Sequence, residues 1–238
     1  MARSRLSSDR DRRSLQRPDV RALMYQGLGN AFSPLSLGPT IWLDGGKGIS
    51  LNGGAVSAWA DQSGNGNNFT QANPLLQPLY IPSESRMNGK PGVGFSVSEN
   101  ALSTLNSITI KTFFAVAVYP SGPNFSDYST IIGDGPLSFI FRGEISTANW
   151  RPGDAPGNRW RDGTLTDNAG LPGPHVYEAE ITAAITAITW VIGDDPFSAG
   201  RIWSDTICEI IAYAGALTTS QRQQVRQYLG TKYRITVT

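Results

Sequence analysis

The stretch SITIKTFFAVAVYP, residues 107–120, is rich in β-branched and aromatic side chains and stops at a proline. It reads as one long strand, because such side chains pack well on a pleated surface and Pro120 has no N–H to continue a ladder. Shorter runs of the same kind lie on both sides. TIWLD (40–44) is a short apolar strand, and in AVSAWAD (55–61) Val56 and Ala58 alternate with Ala55, Ser57 and Trp59. STIIGDG (129–135) and PLSFIFRGEI (136–145) flank a hairpin turn expected at Gly133, Asp134 and Gly135. HVYEAEITAA (175–184), ITAITWVIGDD (185–195) and DTICEIIAYAGAL (205–217) complete a set of roughly eight or more strands.

Composition points the same way. The 238 residues include 26 Gly and 15 Pro but only 16% charged side chains, which suits many short strands joined by many turns. The expected class is all-β, an antiparallel two-sheet sandwich. A single helix follows the last strand: in LTTSQRQQVRQYLGTKY (217–233), Thr218 and Gln221 have the spacing of a capping box. Val225, Tyr228, Leu229 and Tyr233 then share one face, and Arg222, Gln223 and Arg226 fall elsewhere.

The start of the chain differs in kind. Residues 1–21 hold seven arginines (Arg3, Arg5, Arg10, Arg12, Arg13, Arg17 and Arg21) against three aspartates, a charge of +4, so a chain of net +1 has a body of −3. Residues 1–39 read as a basic arm and linker, either with a short helix after Asp19 or as a disordered tail in the isolated molecule, and residues 40–238 as the folded domain. Arginine favours protein interfaces, where its planar fork pairs with carboxylates and carbonyls, so the arm is expected to dock into neighbouring subunits, with homo-oligomerisation. The interleaved aspartates and the lack of aromatics argue against nucleic acid.

One cysteine, Cys208, rules out an internal disulfide and any multi-cysteine zinc module. The first residues lack the apolar segment of a secretory signal, and no apolar run reaches the length of a membrane span. The expectation is a product made in the cytoplasm and carried elsewhere only by an assembly.

Several segments, taken in order, resemble one family. IWLDGGKGI, VSAWADQSGNGNNFTQ, NGKPGVGFS, TFFAVAVY and ICEIIAYAGALTTSQRQQVRQYLGTKY are similar to the concanavalin A-like lectin/glucanase superfamily in its laminin-G-like jelly-roll branch, over about residues 40–235. The W-x-D-x-S-G-N-G-N turn and the strand-plus-helix ending carry the likeness. It implies a jelly-roll sandwich. Its members include sugar-binding domains, glycoside hydrolases and phage or bacterial surface proteins, so function has to come from sites.

The candidate sites are few. Glu178 and Glu180 alternate on one strand and would share a face, either as a catalytic pair or as a solvated strand surface, with Tyr177, Ala179 and Ile181 on the buried side. The further acid and flanking aromatics of the glucanase motif are missing, so no catalytic residue is assigned. His175 has no nucleophile context and reads as structural. GLGNAF (27–32) lacks the ending of a phosphate loop. In the 59–71 loop Asp61 suits an Asx-turn and Gly64, Asn65, Gly66 and Asn67 tolerate positive φ; a calcium or glycan role is the alternative, with Asp61 the one weak metal candidate and no cofactor otherwise expected. Between 149 and 174, Trp150 and Trp160 stand beside Arg151, Arg159, Arg161, Asp154 and Asp162. This is either a carbohydrate- or partner-binding surface or a satellite core under a long loop.

The function expected from these features is a non-enzymatic structural or decoration subunit of a phage-like virion or other large assembly. Recognition of host glycans through the 143–174 loops is the alternative, and glycoside hydrolysis a distant third.

Overall fold

The structure, a computed structural model, describes residues 32–238 apart from 97–99, 121, 126, 135–137, 152–153, 171, 197 and 199. The seven arm arginines, the short helix after Asp19, nearly all of GLGNAF and Gly135 of the expected hairpin turn lie outside the described residues.

The run at 107–120 forms β8 (Ile108–Tyr119), the central strand of its layer. It is flanked antiparallel by β13 (Gly173–Ala187) and β15 (Thr206–Tyr213). Beyond β13 come β11 (Gly157–Arg161) and the two-residue edge strand β12 (Thr164–Leu165). The other side of β15 pairs with β1 (Ile41–Asp44) and β6 (Lys90–Gly94). The second layer runs β10 (Phe139–Arg142), β9 (Thr130–Asp134), β14 (Trp190–Ile192), β7 (Leu102–Thr104), β4 (Phe69–Thr70) and β3 (Ala55–Trp59), with β2 (Ile49–Asn52) on β3. Strand β5 (Leu79–Glu84) pairs with β6 and touches β3 at Leu79 and Ala55, so one continuous ladder folds over into both layers. Every described pairing is antiparallel, the two-sheet all-β sandwich expected.

Alternation builds the core. Phe113, Ala115, Ala117 and Tyr119 of β8 point inward with Tyr177, Ala179, Ile210 and Ala212, and meet Val56, Trp59, Phe69, Ile132 and Trp190 of the other layer. The opposite face of β8 is buried too: Phe114, Val116 and Val118 have no exposed surface, and Phe114 meets Tyr213 edge-on at 6.3 Å. The cover is the helix α1 (Thr219–Tyr233), which buries Val225, Leu229 and Tyr233. Thr218 Oγ1 accepts from Gln221 N–H at 3.2 Å and Gln221 Oε1 accepts from Thr218 N–H at 2.9 Å, so the capping box forms as the spacing indicated. Such a cap is worth about 1 kcal/mol.

Residues 33–39, read from sequence as linker, fold with the sandwich: Ser33–Thr238 is one compact unit. Pro34 is buried in a short 3-10 turn that closes at Gly38, whose φ of 62° is left-handed.

Candidate functional site

The 59–71 loop is tied inward at almost every polar atom. Asp61 Oδ1 accepts from the N–H groups of Trp42 and Ser63, both at 2.9 Å, and Oδ2 accepts from Ser63 Oγ at 2.6 Å and Asn67 N–H at 3.0 Å. Gly64 and Gly66, at φ of 90° and 73°, turn the chain so that the amides of Asn65 and Asn67 reach back. Asn65 Nδ2 donates to Pro39 O at 2.9 Å and Asn67 Nδ2 to Thr40 O at 2.7 Å. Four donors on one carboxylate are the surroundings of an anion held by the protein's own N–H and O–H groups, unlike the oxygen cage a calcium ion needs. Among the described residues no group of three His, Cys, Asp or Glu side chains is gathered for a metal.

Glu178 and Glu180 do share a face, but at Glu178 that face is covered, which corrects its reading as solvent-facing, while Glu180 stays partly exposed. Helix α1 lies across it, and Glu178 has no exposed surface. Glu178 Oε1 accepts from Arg222 Nη1 at 3.0 Å and Oε2 from Arg226 Nη1 at 2.7 Å, while Glu180 stands 3.4 Å from Arg222. Burial pushes the Glu178 carboxyl up and the two guanidiniums oppose that shift. Arg226, placed off the apolar helix face by its spacing, is therefore buried as well. A second carboxylate under the helix escaped the sequence reading: Glu209 of β15, fully buried, receives Trp42 Nε1 and Lys232 Nζ, both at 2.7 Å, Tyr233 Oη at 2.9 Å and Tyr228 Oη at 3.1 Å.

The loops of 143–174 part the two tryptophans. Trp150 is an inward anchor, 2% exposed, stacked on Trp203 at 6.1 Å and edge-on to Phe141 at 4.7 Å and Tyr177 at 5.1 Å. Its ring has no free face to offer a sugar, which corrects its place among the contact residues. Trp160 points to the other side of its sheet, where the Arg222 guanidinium lies 4.1 Å over its ring. Strand alternation sends Arg159 and Arg161, in contrast, toward the loop side.

There a cleft of about 500 Å3 opens, its walls including Asn149, Arg151, Arg159, Thr166, Asp167 and Asn168. A recess of about 280 Å3 adjoins it over Asn158 and Leu165 and shares Arg159, Thr166 and Asp167. The Arg159 side chain is buried and donates through Nε to Ile140 O at 3.2 Å and through Nη2 to Ala155 O at 3.2 Å. Its Nη1 stands 3.8 Å from Asp167 Oδ1, beyond hydrogen-bond reach, with no closer partner among the described residues. Burial lowers its pKa, opposed by Asp167 and Asp154. Arg161 does not line the cleft but holds Asn168, donating from Nη1 to its backbone O at 3.0 Å and to Oδ1 at 2.8 Å. Asn168 Nδ2 in turn donates to Asn149 Oδ1 at 3.3 Å. Arg151 lies over the Tyr128 ring at 4.6 Å and 3.9 Å from Glu144. Asp154, also on the cleft wall, is taken by the Arg142 fork at 2.9 and 2.6 Å. Asp162 accepts from Val176 N–H at 2.8 Å and meets His175 Nδ1 at 2.6 Å, a contact that braces the turn between β11 and β12.

Sequence reasoning missed Asn149, Thr166, Asp167, Asn168 and Arg142. The one available signal was the density of Asx and Thr turn-formers in TLTDNAG (164–170), which needs the pairing of Asn149 with Asn168 to become a wall.

Comparison of the chain with protein-family models, with curated proteins and with solved structures returned no match.

Proposed function

We propose that the chain is a non-enzymatic structural or decoration subunit of a larger assembly, in the phage-like setting its sequence resemblance suggests, anchored by the basic arm and displaying the sandwich. The observation that carries this reading is the pinned junction at Pro39 and Thr40. Thr40 N–H donates to Ala212 O at 2.7 Å, and the Asn65 and Asn67 amides hold the Pro39 and Thr40 carbonyls, so the segment 33–39 is fixed to the sheet where it runs into β1. A rigid root lets an arm pull against its own domain, which a docking segment needs and a tethered tail does not. The committed carboxylates add support: Glu178 is held by two guanidiniums and Asp154 by a third.

Sedimentation tests this reading. The full chain is expected to sediment as an oligomer, and a chain lacking residues 1–32 as a monomer with an unchanged β-rich circular dichroism spectrum. Two monomeric species would overturn it.

The cleft favours a second reading, recognition of glycans, because its walls combine Asn, Thr, Asp and Arg side chains in a volume ordinary for small-ligand sites.

A further inference from the structure

The buried guanidinium of Arg159 raises the question of what answers its charge. Three of its contacts are backbone carbonyls, of Ile140, Asp154 and Ala155, which orient the group without neutralising it. Of the carboxylates near it, Asp154 is taken by the Arg142 fork, and Asp167, 73% exposed in its side chain, stops 3.8 Å from Nη1. Backbone carbonyls hold the inner side of the guanidinium while Nη1 stays open to the cleft, where an anionic oxygen gains a charge-assisted hydrogen bond beside a group already largely withdrawn from water. Arg159 borders both the cleft and the adjoining recess, so one anchored group could extend either way.

The remaining walls restrict what carries the anion. Asn149 keeps its Nδ2 amide without a partner among the described residues, and Thr166, Asp167 and Asn168 present acceptors and donors at fixed positions, Asn168 being held by Arg161. Pro156 of the cleft and the exposed Leu165 of the recess supply an apolar part of the walls, against which the flat face of a sugar ring can lie. Amide, hydroxyl and carboxylate groups in alternation complement ring hydroxyls.

We propose that the cleft binds an acidic saccharide, with the carboxylate of a uronate or sialate residue against Arg159 Nη1 and ring hydroxyls against Asn149, Thr166 and Asn168. The proposal rests on the glycan reading and sharpens it to a ligand class. It assigns Asp167 an opposing role: the aspartate occupies the approach to Arg159 in the free protein and repels an incoming carboxylate.

The test is calorimetric titration of the full chain with tetragalacturonate, its methyl ester, sialyllactose, lactose and a short polyglutamate peptide. At least one acidic sugar is expected to bind about tenfold or more tightly than its neutral counterpart, the difference one charged contact makes. Asn149→Ala is expected to weaken that binding, and Asp167→Asn, an exposed and conservative change, to strengthen it about threefold to tenfold while leaving neutral sugars unaffected. Arg159→Lys tests the fork itself, with thermal melting to confirm folding; if it does not fold, the opposite signs of the Asn149 and Asp167 variants decide. Neutral sugars binding as well as acidic ones would overturn the proposal and leave the glycan reading standing. Failure of every sugar would overturn both, and binding of the peptide alone would replace them with an acidic protein partner.

Discussion

Arg226 Nη1 donates to Glu178 Oε2 across 2.7 Å with both side chains buried between helix α1 and the outer face of the central sheet. The pair joins the last element of the chain to a strand that began some fifty residues earlier, and Arg222 closes on the same carboxylate one helical turn away. It holds the helix in register over β13 while Glu209 and Lys232 do the same over β15.

Breaking this pair on one side leaves a buried charge short of a counterion: Arg226 loses its carboxylate in one variant, and Glu178 keeps Arg222 alone in the other. Glu178→Gln and Arg226→Met are each expected to cost about 3 kcal/mol, whereas the double variant should recover most of that loss because a buried ion pair is worth little more than apolar packing of the same volume. Urea unfolding of the four proteins measures the coupling. Additive losses would show that the two groups act independently.

The two tryptophans should separate sharply. Trp150→Ala removes a ring packed among four aromatic neighbours and is expected to cost about 3–5 kcal/mol. Trp160→Ala removes a half-buried ring and its stacking with Arg222, for about 1 kcal/mol. Thermal melts of the two variants check the order, and equal losses would contradict the opposite placement of the rings.

Asp61→Ala strips four donors of one acceptor and is expected to destabilise the domain by about 2 kcal/mol, with Asp61→Asn intermediate because one oxygen remains. Melting with calcium and with chelator should coincide for the unaltered chain. A rise in Tm on adding calcium that Asp61→Ala abolishes would make the loop a metal site.

Acid sensitivity should trace in part to Glu84. Its hydrogen bonds from Arg86, at 2.8 Å from both Nε and Nη2, hold its carboxyl at about 2 against an ordinary 4.5. A folded pKa below the unfolded one stabilises the protein fully above about pH 4.5, and that contribution disappears as pH falls toward 2. Arg86 is 45% exposed, so screening reduces the effect to about 2 kcal/mol. Glu178 and Glu209 act in the opposite sense, since burial raises both and their ionisation disfavours the folded state. Denaturant unfolding of the unaltered chain and Glu84→Gln at several pH values isolates the difference, which should shrink from pH 5 to pH 2.

The strands and the helix were legible in local pattern. The run at 107–120, the alternation at 55–59 and the Thr218–Gln221 cap each depend on neighbours within a few residues, so the sequence by itself determined the all-β class, the closing helix and the turn at Asp61. It could not show what lies over a strand. Glu178 alternates with apolar residues as a solvent-facing side chain does, and only docking of α1, with Arg222 and Arg226 about forty-five residues away, makes that face an interior. The same holds for the cleft. Trp150 and Trp160 look alike in the chain, but the pleat sends one into the aromatic core and the other under an arginine, and the wall that remains arises where Asn149 meets Asn168. Periodicity records which way a side chain points, whereas burial, charge pairing and the shape of a site depend on which distant segment arrives opposite it, and that is decided by tertiary packing.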